Sequence, residues 1–297
     1  MGQPKLVLLG AGNRVELLSS LIEAAETLEI QLDIQSIERS ARVPIGQLIE
    51  VEPTQLDFRS DEFTEFLINY CAQLHPVILP LMDSSIGSVL KVGGHAIFPV
   101  TADSMQVLNK RRLKAICQKI GVLTPLDVTS GWAHVKPVHG NGGKGAGITN
   151  LDDGKIRDLT ELICEEILEG PEVSVDVYIF SGGHYSAIAR DRLNVVGGEV
   201  QHTRTRELTK LEKSRIDALL SEFTLMGPIN VQFMGPDLKL LEINPRFGGG
   251  STASIKAGWT ATTWFLQEYV LGHSQVNQGN DFKHVEVMRA WKDYVWR

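Results

Sequence analysis

The sequence has 297 residues, 43% of them apolar and 22% charged, which is typical of a soluble globular protein with more than one packed core. Its formal net charge of −7 offers no basic surface for nucleic acid, and no run approaches the roughly 18–20 apolar residues that span a bilayer. Three scattered cysteines favour reduced thiols, and the first residues do not resemble a signal peptide. We expect a cytoplasmic protein that binds neither nucleic acid nor membrane.

The first hundred residues alternate between short apolar runs and helical patterns. Strands are predicted at 5–9, 32–37 and 77–81, and helices at 15–28 and 61–73. This spacing is typical of βαβ units and predicts a parallel sheet, whose ligand-facing loops follow the strands. Those loops hold four candidates for contact with a ligand: Asn13, Arg14, Asp83 and Ser84.

A glycine pair after the first strand raises the alternative of a dinucleotide-binding dehydrogenase. Gly10 and Gly12 fit the start of that fingerprint, but Val15 occupies the position of its third glycine. The segment therefore does not complete the dinucleotide-binding fingerprint.

The pattern changes after residue 100. One amphipathic helix is predicted over 104–121 and a short strand over 133–137, followed by a segment of helix or strand at 159–168 and another at 173–180. The last third contains predicted hairpin strands at 229–234 and 238–243, then a helix at 261–271.

A glycine-rich segment directly follows the strand that ends in Lys136 and Pro137. Five glycines fall within residues 140–147. Glycines let backbone N–H groups turn toward an anion, and a nearby lysine adds a positive charge for phosphate. The spacing matches neither a Walker A motif nor a Rossmann fingerprint, and a flexible surface loop is the alternative interpretation.

A second signal lies in the strand that ends near residue 246. Alternate residues of a strand share a face, so Glu242, Asn244 and Arg246 project together. A carboxylate and an amide oxygen are hard ligands suited to magnesium, and an arginine beside them suits an anion. Gln232 on the preceding hairpin strand is expected across from Glu242. A polar strand face in solvent is the alternative.

These segments together resemble a known superfamily. Six of them carry the resemblance in chain order: Asn109-Lys110, Val135-Lys136-Pro137, the loop 140–147, residues 164–172, Asn230-Val231-Gln232 and Glu242-Ile243-Asn244-Pro245-Arg246. They are similar to the ATP-grasp superfamily, most closely to its carbamoyl phosphate synthetase large subunit-like (carboxylate–amine ligase) branch. The resemblance covers roughly residues 104–270.

The resemblance implies an α/β fold in which a parallel α/β domain precedes an ATP-grasp domain of two α+β subdomains. The expected bounds are 1–103 for the pre-ATP-grasp, Rossmann-like domain, 104–168 for a small lid subdomain and 169–297 for the C-terminal subdomain. Asn109 departs from the pattern, because many relatives have Asp before the lysine.

The resemblance also implies roles for the matching residues. Lysines, loop glycines, a hinge that reads adenine and one ribose-binding carboxylate would hold ATP: Lys110, Lys136, Gly140, Gly142, Gly143, Gly145, Glu165, Glu166, Leu168 and Glu172. Magnesium, or manganese in its place, would be bound by Gln232, Glu242 and Asn244. Catalytic charge stabilisation would come from four residues: Arg246, Lys136, Arg190 and Arg204.

The implied function is that of an ATP-dependent ligase, which activates a carboxylate as an acyl phosphate for attack by an amine and releases ADP and phosphate. Its partners would be a small-molecule carboxylate and amine, and a homodimer is the simplest assembly. An acid–thiol ligase, a kinase on the same fold and a nucleotide-binding subunit of a split synthetase are the alternatives.

Overall fold

The computed structural model describes residues 3–49, 52–140, 145–154, 158–274, 276, 282–290 and 292–296. Gly142 and Gly143 lie outside the described residues. The helices are α1 (Val15–Thr27), α2 (Asp61–Leu74), α3 (Ile86–Val92), α4 (Ala102–Leu108), α5 (Lys110–Lys119), α6 (Lys210–Glu222), α7 (Ser251–Lys256) and α8 (Ala261–Phe265). Within these ranges no helix has the length and apolar character needed to cross a bilayer.

The strands form three sheets. They are β1 (Lys5–Leu9), β2 (Asp33–Glu38), β3 (Thr54–Gln55), β4 (Val77–Pro80), β5 (Trp132–Pro137), β6 (Gly147–Asn150), β7 (Leu162–Glu165), β8 (Glu172–Ile179), β9 (Tyr185–Val196), β10 (Glu199–Arg206), β11 (Gly227–Met234), β12 (Lys239–Asn244) and β13 (Glu286–Met288). The strand orders are β3-β2-β1-β4, β6-β5-β7 and β12-β11-β8-β9-β10-β13.

The first sheet is parallel, as predicted, and it carries helices on both faces. Alternation along β1 sends Leu6 and Leu8 into one core and Val7 and Leu9 into another. The first core is covered by the apolar stripe of α1, and the second by α2 and α3. The loops that follow β1 and β4 lie at the same end of this sheet, because the two strands are parallel neighbours.

All neighbouring strands of the six-stranded sheet are antiparallel. The two faces of this sheet differ sharply. Val173, Val175 and Val177 of β8 point into a core covered by α5 and α6. The residues between them, Ser174 and Asp176, are buried on the opposite face. Alternation along one strand therefore creates an apolar face for packing and a polar face for chemistry.

One core joins the two ends of the chain. Trp259, Trp264 and Phe265 of the C-terminal region belong to the same buried cluster as Leu6 and Leu8 of β1, together with α1. The trailing helical region is α8 followed by one π turn over Leu266–Val270, rather than the single helix expected at 261–271.

The helix expected at 104–121 is two helices, α4 and α5. Asn109 between them is extended, with φ −83° and ψ 100°. Its side-chain oxygen accepts the Arg112 N–H at 3.0 Å, so Asn109 is the N-cap of α5. Capping by Asn overrides the continuous helical pattern, and it places Lys110 at the first position of α5, beside the segment that contains Gly140.

Candidate active site

The polar face extends across neighbouring strands of the six-stranded sheet. Asn230 on β11 lies in register between Asp176 on β8 and Asn244 on β12. In antiparallel sheets, directly opposed residues share a face. Two further opposed pairs lie on this face: Gln232 with Glu242, and Ser174 with Arg190. The structure therefore brings the predicted Gln232, Glu242, Asn244 and Arg190 onto one face.

A buried carboxylate, Asp176, organises the centre of this face. It accepts from Arg190 Nε at 2.7 Å and Nη2 at 3.3 Å, and from Asn230 Nδ2 at 2.7 Å. The hydroxyls of Ser251 and Ser254 on α7 donate to it at 2.7 and 2.6 Å. Burial alone would raise the pKa of Asp176, but the Arg190 guanidinium and these hydrogen bonds lower it below its usual value.

The predicted metal ligands form a set of hard oxygen donors. Asn244 Nδ2 donates to Glu242 Oε1 at 2.8 Å, and Gln232 Nε2 donates to Asn230 Oδ1 at 3.3 Å. One carboxylate and two amide oxygens suit magnesium, which usually completes its shell with phosphate oxygens and water. In the part of the chain that is described, no group of three or more His, Cys, Asp or Glu side chains could hold a metal.

Arg246 joins the polar face to the parallel sheet. Its guanidinium binds both oxygens of Asp83, with Nε to Oδ1 at 2.8 Å and Nη2 to Oδ2 at 2.9 Å. Nη2 also donates to Asn244 Oδ1 at 3.0 Å. Both side chains are largely buried, at 8% and 11% exposure. A two-point carboxylate contact fixes the plane of a guanidinium, so Arg246 is held rigidly beside the metal-ligand set.

Lysines converge on a small cleft between the three-stranded and six-stranded sheets. Lys136 Nζ lies 2.7 Å from Glu165 Oε2, and Lys114 Nζ lies 3.3 Å from Oε1 of the same residue. Lys110 donates to the Gly140 carbonyl. Burial lowers the pKa of Lys110; Lys136 lowers it further, whereas Glu242 raises it. The cleft is lined by Lys110, Leu113, Lys114, Thr124, Lys136, Glu165, Leu240 and Leu241.

Of the predicted hinge and ribose-binding residues, Glu165 lines this cleft. Glu165 is buried at the end of β7, whereas Glu166 pairs with Lys239 at 2.5 Å and accepts the Leu126 N–H. Leu168 is partly buried. Glu172 begins β8 and pairs with Arg192 at 3.1 Å, and burial raises its pKa.

The glycine segment is described only at its ends. Gly140 is exposed with φ +137°, and Gly145 has φ +75°. Both conformations favour glycine. A Cβ at residue 145 would come within 3.2 Å of the Pro137 ring, so this end of the segment folds back onto the strand that carries Lys136.

The structure does not bring Arg204 to the polar face, which corrects its grouping with the other site arginines. It lies opposite Asp191 and pairs with that carboxylate at 3.1 Å. Its neighbour Thr205 is the residue opposite Arg190. Successive strand residues point to opposite faces, so Arg204 projects to the side of α6.

Sequence reasoning missed several charged residues of this region: Lys114, Asp176, Arg192 and Arg289. A signal for Asp176 existed, because Ser174 and Asp176 interrupt an otherwise apolar strand with period 2. The ion pair of Asp83 with Arg246 joins residues 163 positions apart, and no local pattern indicates it.

The glycines after β1 serve packing. Gly10 has φ +77°, and a Cβ there would overlap the Met82 side chain. Glu38 at the end of β2 accepts the Ala11 N–H at 2.8 Å and the Ser36 hydroxyl. The Glu38 carboxylate is therefore bound by groups of the protein itself. The dehydrogenase alternative requires instead an acidic side chain that faces the ribose of a dinucleotide.

Comparison with known proteins identifies the fold. Residues 158–291 match the family model described as ATP-grasp in the biosynthetic pathway with Ter operon. No curated protein sequence matches the chain. Among solved structures, N5-carboxyaminoimidazole synthetase from Staphylococcus aureus complexed with ADP has a TM-score of 0.77 at 18% identity, covering 97% of this chain and 82% of that one.

Two further solved structures agree. Carboxyaminoimidazole ribonucleotide synthase from Aspergillus clavatus complexed with ATP has a TM-score of 0.70 at 14% identity, covering 95% of this chain and 80% of that one. L-amino acid ligase from Bacillus licheniformis has a TM-score of 0.66 at 17% identity, covering 90% and 74%. With its parallel N-terminal sheet and its two antiparallel sheets around a lysine-lined cleft, the chain has the ATP-grasp fold.

Proposed function

We propose that this protein is an ADP-forming ligase, which uses ATP to activate a carboxylate as an acyl phosphate that an amine then attacks. One observation carries the proposal: Gln232 lies opposite Glu242, and Asn244 and Arg246 follow Glu242 at alternate positions, on a buried polar face that adjoins a lysine-lined cleft. Solved structures of similar fold include proteins named as a synthetase and an L-amino acid ligase, which supports this class of reaction.

ATP would occupy the cleft between the small sheet and the polar face. Lys110 and Lys136 approach it from α5 and β5 and supply positive charge for the phosphates. The backbone of the hinge at Glu165, Glu166 and Leu168 would read adenine. The carboxylate of Glu172 would accept hydrogen bonds from the ribose hydroxyls.

Gln232, Glu242 and Asn244 would hold Mg²⁺, with Mn²⁺ as an alternative, because all three present hard oxygens on adjoining strands. When bound, the metal neutralises phosphate charge and orients the phosphates for in-line transfer. The geometry of Asn244 suits a shared role, since its amide already contacts both Glu242 and Arg246.

The chain's own residues provide charge and position. A carboxylate approaching the γ-phosphate brings two anions together, and Arg246 and Lys136 offset that repulsion. Asp83 keeps the Arg246 guanidinium in one orientation before substrate arrives, so little reorganisation accompanies transfer. The carboxylate oxygen attacks phosphorus and ADP leaves; the neutral amine then attacks the acyl carbon, phosphate leaves, and the nitrogen loses a proton. No protein nucleophile is required.

The test is ADP release from Mg-ATP with a panel of carboxylic acids and amines. Glu242→Ala should abolish turnover, and Glu26→Ala should not alter it, because Glu26 is exposed on α1. Turnover that requires one acid and one amine supports the ligase. ATP binding without turnover across a broad panel would contradict the proposal and favour the nucleotide-binding subunit of a split synthetase.

A further inference from the structure

Three arginines from distant parts of the chain converge on the loop that follows β12. They bond to three consecutive backbone carbonyls: Arg246 and Arg14 to Phe247 O at 3.0 Å each, Arg14 also to Gly248 O at 3.2 Å, and Arg289 to Gly249 O. We call Arg14, Arg246 and Arg289 the arginine row. The loop thus fixes three guanidinium groups side by side at the edge of the polar face.

The charges of the row are only partly compensated. Arg246 is paired with Asp83, but within the described ranges neither Arg14 nor Arg289 forms an ion pair with a carboxylate. The third contact of Arg14 is another carbonyl, Leu81 O at 3.1 Å. A guanidinium has five N–H donors and a full positive charge, and carbonyl dipoles do not neutralise that charge. The row therefore retains donors and positive charge for an anion.

A fourth arginine lies under the same loop and gives a second, independent observation. Arg190 is 1% exposed, and among the described residues its Nη1 has no hydrogen-bond partner. A Cβ on Gly250 would overlap this Nη1, so the glycine leaves the guanidinium room at the loop. Beside it, a small cavity is lined in part by Gln201, Thr252 and Arg289.

The electrostatics of the row support an anion site. Burial lowers the pKa of Arg14 to about 9; repulsion from Arg246 and Arg289 adds to the shift, whereas Asp83 and Glu199 oppose it. The pKa of Arg289 is also lowered, first by partial desolvation; Glu199 opposes the shift, and Arg190 and Arg192 add to it. A bound anion would relieve this mutual repulsion.

We propose that the acceptor acid carries two anionic groups: one is phosphorylated next to Arg246, and the other, a carboxylate or a phosphate, is bound by Arg14 and Arg289. The proposal rests on the ligase function proposed above, because it assigns the reacting carboxylate to the metal-ligand end of the row. It names the substrate class: a dicarboxylic or phosphorylated acid rather than a simple monocarboxylic acid.

The experiment compares matched acids that differ by one anionic group; the member of a pair that has two anionic groups is called the dianion below. Glutarate is measured against glutaramate, and 3-phosphoglycerate against glycerate, by ADP release with a mixture of amino acids and, separately, by thermal stabilisation of the ADP-bound protein. We expect the dianion of a pair to bind about ten- to a hundredfold more tightly, as for a lost charge-assisted contact. The pair that shows the difference identifies the second anion as carboxylate or phosphate.

Substitutions of Arg289 test whether this residue binds the second anionic group. Arg289→Gln should weaken the dianion about tenfold or more and leave the monoanion unchanged, and Arg289→Lys should recover part of the loss. Arg59→Gln removes an exposed arginine before α2 and serves as the charge control. An Arg289→Gln effect that is equal for both members of a pair would overturn the proposal.

The two readouts separate this inference from the ligase function. Turnover of acids without preference for dianions would refute the dianionic acceptor and leave the ligase intact. Selective stabilisation by a dianion without ADP release would support the anion site and contradict the ligase. Neither turnover nor selective stabilisation would overturn both.

Discussion

The buried pair of Asp176 and Arg190 provides the sharpest quantitative prediction. Asp176→Asn removes the charge that compensates a guanidinium of 1% exposure and turns an amide N–H₂ toward it. Breaking one partner of a buried pair leaves an uncompensated buried charge and costs about 3–5 kcal/mol. For a chain of this length, that loss lowers Tm by about 6–10 °C.

The assay is thermal and urea unfolding of a double-mutant cycle with Arg190→Met. Each single variant leaves one buried charge unpaired, whereas the double variant leaves none, so its loss should be smaller than the sum of the two. A free energy of unfolding lowered by less than about 1 kcal/mol in Asp176→Asn, or strict additivity in the cycle, would refute this account of the pair.

The pH dependence of the same variant has a definite sign. The folded-state pKa of Asp176 lies below its unfolded value, so its stabilisation is present above the unfolded pKa and is lost as pH falls through the folded pKa. The difference in Tm between Asp176→Asn and the parent chain should therefore be constant between pH 6 and pH 8, and shrink only in strongly acidic solution.

Three other changes have defined outcomes. Lys136→Met should weaken ATP binding about ten- to a hundredfold in calorimetry, because the buried charge that we propose for phosphate binding is lost; unchanged affinity would remove Lys136 from the site. Gly10→Ala should lower Tm in thermal unfolding by several degrees, because φ is +77° and a Cβ overlaps Met82; an unchanged Tm would show that Met82 moves freely. Burial raises the pKa of Glu38, so its ionisation destabilises the fold progressively as pH rises through the unfolded and then the folded pKa. The Tm of Glu38→Gln relative to the parent should therefore increase from pH 4.5 to pH 8, and a difference independent of pH would contradict the shift.

The fold was largely accessible from sequence wherever local periodicity and packing agree. The runs at β1 and β4 are short and apolar, and amphipathic helices separate the three strands β1, β2 and β4, so the parallel sheet was predicted and is confirmed. The predicted single helix at 104–121 failed because capping by Asn109 outweighs a continuous amphipathic pattern. Strand β10, helix α6 and strand β13 were not predicted, because charged and polar residues interrupt their periodicity.

Residues of the candidate site were likewise predictable only where a local pattern indicates them. Alternation along one hairpin strand was enough to group Glu242, Asn244 and Arg246, and the structure has them adjacent. Arg204 fell on the other face because the side a strand residue occupies depends on pairing with β9, which includes register shifts. The contact of Arg289 with Gly249 depends on how a distant strand pairs with the sheet edge, which no local signal encodes.

The core shared by Leu6, Leu8 and Trp264 has a consequence for biosynthesis. One face of the parallel sheet is covered only in part, by α1, until the ribosome has made residues more than 250 positions later, because Trp259, Trp264 and Phe265 complete that face. Closing so long a loop slows folding and leaves apolar surface exposed on the nascent chain. A fragment that ends after β12 should therefore aggregate when expressed alone and become soluble when the remaining segment is supplied in trans.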